Sequence, residues 1–96
     1  MDIELRLKEF RLNPRTPKFV ELANDLLEAG RARDAVEVCS AGLQVFSDHF
    51  DGYVSLARAL RHDGQLREAQ AALLRALRLE PDHGAALKLL GQVLLA

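Results

Sequence analysis

The chain resembles itself at a fixed interval, and nothing else in the sequence constrains its fold as much. Displaced by 34 residues, Thr16–His49 lies over Phe50–His83, and ten of those 34 positions are identical. They are Val20/Val54, Leu22/Leu56, Ala23/Ala57, Leu26/Leu60, Gly30/Gly64, Arg33/Arg67, Ala35/Ala69, Leu43/Leu77, Asp48/Asp82 and His49/His83. Phe19/Tyr53, Asp34/Glu68 and Val45/Leu79 are conservative. The register runs on without a gap into Gly84–Ala96, where Leu87, Leu90, Gly91 and Leu94 fall under Tyr53, Leu56, Ala57 and Leu60. Such a period marks stacked units, each of which buries its apolar face only against its neighbours.

Each unit reads as two helices. Apolar residues recur at helical spacing in the first, as Phe19, Leu22, Leu26 and as Tyr53, Leu56, Leu60. These helices are expected over about Pro17–Ala29 and Asp51–His62, each followed by a glycine, Gly30 or Gly64, that can end a helix in the left-handed conformation. The second helices are expected over about Ala32–Phe46 and Leu66–Leu79, with Ser47 and Pro81 breaking the chain. Small residues mark where helices approach closely: Ala23, Ala35 and Gly42 in one unit, Ala57, Ala69 and Ala76 in the next. Composition agrees, since Leu and Ala together number 33 and β-branched residues only eight.

These residues resemble the tetratricopeptide repeat. Phe19-x-x-Leu22-Ala23-x-x-Leu26 and Tyr53-x-x-Leu56-Ala57-x-x-Leu60 follow its first-helix pattern, Gly30 and Gly64 its turn, and Ala35 and Ala69 its second helix. Gly64-x-x-x-x-Ala69…Ala76-Leu77-x-x-x-Pro81 fits closely. Unit one departs at Cys39, Gly42 and Ser47; Gly42 alone costs roughly 1 kcal/mol relative to Ala in a helix, which makes unit one the softer. The resemblance implies an all-α fold, a right-handed superhelix of about six helices. Residues 1–15 form an N-terminal packing helix with Ile3, Leu7 and Phe10 on one face. Residues 16–49 and 50–83 are complete units, and 84–96 the first helix of an incomplete third.

The resemblance also implies a non-catalytic module whose concave side, lined by first helices, binds a peptide or amphipathic helix of a partner protein. The family's groove positions fall on Val20, Glu21, Asn24, Leu27 and Glu28, then on Val54, Ser55, Arg58, Arg61 and His62, then on Ala85, Lys88, Leu89, Gln92 and Leu95. One subset of the family grips a C-terminal carboxylate with Lys and Asn donors. The matching positions here are Val20, Asn24, Ser55, Ala85 and Leu89, so only Asn24 survives and the charge-assisted bonds lack donors. Arg58, Arg61 and Lys88 are instead expected to form a basic strip beside Leu27, Val54, Leu89 and Leu95, suited to a partner with acidic and apolar side chains; the bland alternative is a solvated helix face.

Leu87, Leu90 and Leu94 take positions that elsewhere pack on the same unit's second helix, and Leu89, Val93 and Leu95 are expected to add to that apolar surface. Two readings stay open: a piece of a longer repeat protein, or an end covered by a second copy, giving a homodimer through Leu87, Leu90, Val93, Leu94 and Leu95.

Other chemistry finds little support. The formal charge of −1 recruits neither nucleic acid nor an anionic membrane. No apolar stretch approaches the roughly 18 residues of a membrane span. One cysteine forms no intramolecular disulfide and suits a reducing, cytoplasmic setting; amid Val36, Val38 and Leu43 it reads as a small buried hydrophobe. His49 and His83 share a repeat position but stand a helix layer apart, about 10 Å, too far to share one ion. No cofactor-binding or catalytic constellation is apparent, so no cofactor is expected.

Overall fold

The computed structural model describes residues 2–95. Among them are six helices and no strand: α1 (Ile3–Leu12), α2 (Phe19–Glu28), α3 (Ala32–Val45), α4 (Phe50–His62), α5 (Leu66–Leu79) and α6 (Gly84–Leu95). Consecutive helices pack side by side, and the chain extends over 35 × 25 × 18 Å.

The two hairpins turn by the same chemistry. Gly30 and Gly64 adopt φ of 75° and 79°. The amide after each glycine reaches back to a helix carbonyl, Arg31 N to Leu26 O and Gln65 N to Leu60 O, both at 2.8 Å. The glycine amides bond Leu27 O and Arg61 O. This is the paired bonding that closes a helix around a left-handed residue. It satisfies carbonyls that the last turn leaves without partners.

The histidines of the repeat have a structural task. His49 Nδ1 accepts a hydrogen bond from Gly52 N at 3.0 Å, and His83 Nδ1 accepts one from Ala86 N at 3.3 Å. Each imidazole therefore caps the first helix of the next unit, as a Ser or Asp commonly does. Because His49 caps, α4 starts at Phe50, one residue earlier than periodicity suggests. His49 also sets its edge on Phe19 (5.0 Å between ring centres), and His83 lies against Phe50 at 4.6 Å. The Tyr53 hydroxyl donates to Ser47 O at 2.7 Å and ties α4 to the same junction.

Two apolar clusters stack along the chain. The first joins Leu7 and Phe10 of α1 to Phe19, Leu22 and Leu26 of α2 and Val38, Cys39 and Leu43 of α3. The second joins Ala57 and Leu60 of α4, Ala69, Ala72 and Leu73 of α5, and Leu89 and Val93 of α6. Phe19 is fully buried and explains Gly42: a Cβ there would lie 2.3 Å from the root carbon of the Phe19 ring. Gly52 faces the far end of the same ring, 2.8 Å from a would-be Cβ. The missing side chains at Gly42 and Gly52 make the slot for Phe19. Gly42 is thus more than a weak spot in a helix.

The end helix α6 corrects one expectation. Leu89 and Val93 are buried, 8% and 4% exposed, whereas Leu87, Leu94 and Leu95 are 47%, 59% and 90% exposed. The helix has two apolar faces. Ala86, Leu89 and Val93 pack back toward α5, as Gly52, Ser55 and Ala59 of α4 face the unit before them. Leu87, Leu90 and Leu94 form the forward face. The equivalents of Leu89 and Val93 in α4 are Ser55 and Ala59, so identity at the 34-residue interval carried no sign of a core role.

Candidate functional site

The first-helix side is built from α2, α4 and α6. Asn24 and Leu27 project from α2, Arg58, Arg61 and His62 from α4, and Lys88 and Gln92 from α6. Neighbouring first helices diverge enough to leave two shallow depressions. One, of 340 Å³, is lined by Asn24, Leu27, Glu28, Arg58 and His62. The other, of 330 Å³, lies between α4 and α6 over Arg58, Arg61, His62, Lys88, Leu89 and Gln92. Arg58 and His62 border both, so the two form one continuous surface.

Most of the residues singled out from sequence meet there. Arg58, Arg61, Lys88 and Gln92 are exposed, and Val20, Asn24, Leu27 and Val54 are half-buried. Arg61 donates from Nη1 to Gln92 Oε1 at 3.3 Å and bridges α4 to α6. Arg58 and Lys88 make no ion pair among the described residues. Arg58, Arg61 and Lys88, with no carboxylate among the residues lining the depression between α4 and α6, leave that depression positive, while Glu28 stands near Arg58 in the other.

Three assignments change. Ser55 is only 4% exposed, and its hydroxyl donates to Asn24 Oδ1 at 3.1 Å. It braces Asn24 and offers little surface of its own. That bond occupies the amide oxygen, which leaves the Asn24 amide nitrogen as the free donor. Leu89 floors the second depression but belongs mainly to the core. Val93, assigned from sequence to a contact between copies, lies in that core as well. His62 and Glu28 join the surface where the register placed them.

No catalytic grouping emerges around these residues. Cys39 is fully buried and burial pushes its thiol up to about 12, so it stays protonated and inert near neutrality. Groups of three or more His, Cys, Asp or Glu side chains placed to hold a metal are absent among the described residues. No helix among them is long and apolar enough to cross a membrane.

Stacked helix hairpins with matched turns, matched caps and an open surface along their first helices define an α-helical repeat protein. The sequence model of the tetratricopeptide repeat matches residues 26–94, most of the chain, and the chain belongs to that family. Members serve generally as protein–protein interaction modules and are typically non-catalytic. No curated protein matches the chain.

Proposed function

We propose that this chain binds an acidic, partly apolar segment of another protein on the surface shared by α2, α4 and α6. The observation that carries this reading is the run of exposed, ion-pair-free cations, Arg58 and Lys88 with Arg61 between them, beside the half-buried Leu27 and Val54. Opposite charge speeds encounter and fixes register, while the apolar neighbours give contact area. Residues 16–49 and 50–83 act in this reading as the two complete units, with 84–96 adding a third first helix. The surface is short, so a dissociation constant on the order of micromolar is expected. An Arg58→Glu/Lys88→Glu variant tests it in pull-downs of native partners with the full natural chain. Recovery should fall at least tenfold with helical content intact; unchanged recovery removes the groove reading.

A second reading, self-association through α6, has its own observation. Leu87, Leu94 and Leu95 are exposed next to half-buried Leu90, and Lys88 at the Leu95 edge is the charged residue nearest that face. A contact between copies would cover Leu87, Leu90, Leu94 and Leu95. Light scattering after size exclusion should give a mass that rises with concentration and a monomer for Leu87→Glu/Leu94→Glu. A wild-type monomer at high micromolar concentration ends this second reading.

A further inference from the structure

An apolar cleft lies on the side opposite the first-helix surface. It measures 470 Å³ and opens between the second helices α3 and α5, which barely touch. Tyr53, Leu56 and Leu60 of α4 form its floor, and Val36 and Leu43 face Ala71 across it. Two charges stand on the α5 wall, Glu68 and Arg75, and neither makes an ion pair among the described residues. Arg75 rests instead 5.6 Å from the centre of the Tyr53 ring.

We infer that this cleft is a second docking site, and that its occupant is a two-turn amphipathic helix of a partner protein with an acidic residue at its N-terminal end and a basic residue about seven positions later. Length, backbone chemistry and charge select it. Glu68 and Arg75 are seven residues apart on one helix, so they stand about 10 Å apart along it. That span is two turns, which presents apolar side chains at i, i+3 or i+4, and i+7 to the floor. An extended segment would press its amides and carbonyls onto Tyr53, Leu56 and Leu60, where the aliphatic carbons offer no hydrogen bonds. The floor's one hydroxyl, that of Tyr53, is already spent on Ser47 O, and the polar side chains of Ser40, Gln44 and Ser47 stand on the α3 side alone, where they could serve only one edge of such a segment. A helix satisfies its own backbone and brings only side chains.

Charge then fixes direction. A carboxylate on the occupant pairs with Arg75 and a cation with Glu68. Acidic residues are favoured in a helix's first turn and basic ones in its last, so the occupant's N-terminus lies at Arg75 and its C-terminus at Glu68. It therefore runs antiparallel to α5. This site depends on neither α6 nor the basic surface, and it stands or falls apart from the function proposed above.

Two 14-residue peptides test it, both carrying leucines at i, i+3 and i+7 in an alanine-rich helix. One has Glu near its N-terminus and Lys seven residues on; the other has the two exchanged. In fluorescence anisotropy with the 96-residue protein, the first should bind at tens of micromolar and the second at least fivefold more weakly. A Glu68→Arg/Arg75→Glu variant should reverse the preference. Ala71→Trp, at an exposed wall position, should block both peptides with the circular dichroism spectrum unchanged. Arg58→Glu/Lys88→Glu should leave both affinities as they are. Equal affinity for the two peptides, a preference that survives the charge exchange, or no binding up to millimolar peptide would overturn the inference.

Discussion

Phe19 sets much of what single residues do here. Its ring is fully buried, stacks on Phe46 with centres 6.2 Å apart, and meets the edge of His49. It occupies the volume that side chains at Gly42 and Gly52 would take. Helix propensity alone says that Gly42→Ala stabilises the protein by about 1 kcal/mol. The geometry says the reverse, because the added methyl meets the root of a ring hemmed in on every side. We expect Gly42→Ala to destabilise by about 1–3 kcal/mol, the usual cost of overpacking. Urea unfolding followed by circular dichroism reads the sign directly, and a rise in midpoint would contradict the packing described for Phe19. Unit two has Ala76 at the same register with Tyr53 opposite, so the difference between units is a matter of which ring is seated and not of a weaker repeat.

Among the helices, the two ends are held by different forces. Leu7 and Phe10 anchor α1 in the core with Ile3 packed beside them, and its other ties are ionic. Arg6 reaches Asp25 at 2.6 Å, both arms of Arg11 reach Glu37 at 2.8 Å, and Glu4 pairs with Arg31. The bidentate hydrogen bonds from Arg11 hold the Glu37 carboxyl below its ordinary value. A carboxyl lowered on folding contributes stability that is complete above its unfolded pKa and drains away as pH falls through its folded one. Glu37 is nearly half exposed, so this contribution is small and screened by salt. Below about pH 4 the backbone NMR shifts of Leu7–Arg11 should move toward coil values before those of α4, and sooner in high salt. Concerted movement of both helices would show that the ionic ties are immaterial.

The other end rests on burial. Truncating Leu89, 8% exposed in the second cluster, should cost about 2–5 kcal/mol as Leu89→Ala, whereas Leu94→Ala at 59% exposure should cost under about 0.5 kcal/mol in the monomer. Chemical denaturation of the two variants makes the comparison, and equal losses would mean that α6 sits on its other face.

At the level of the molecule, stability should grade along the stack. Interior helices have neighbours on both sides, while α1 and α6 have one flank each, and in repeat architectures stability is a sum over neighbour interfaces. Native-state hydrogen exchange should find the slowest amides in α3 and α4, with α1 and α6 opening first. A single protection level throughout would make the chain one cooperative block.

The 34-residue register made the helices, their turns and the family legible, because Gly30, Gly64, Ala35 and Ala69 are local requirements that any copy of the unit must meet. It placed Arg58, Arg61 and Lys88 on one surface for the same reason, since equivalent positions share a face. It was silent wherever two elements distant in sequence had to be weighed together. Leu89 and Val93 look no different from Leu87 and Leu94 in a run of apolar residues, and only the position of α5 separates buried from exposed. Ser55 reads as a groove residue until its hydroxyl is seen on Asn24. The splay of α3 from α5, and hence the cleft over Tyr53, leaves no mark on spacing at all.

Periodicity by itself therefore determined that hairpins form and stack, because backbone bonding and helical spacing are properties of a few neighbouring residues. Which leucine meets water, which glycine must stay bare and where the surface opens were decided only by the packed whole. Those outcomes depend on the distance between helices, and that distance is set by every side chain between them at once.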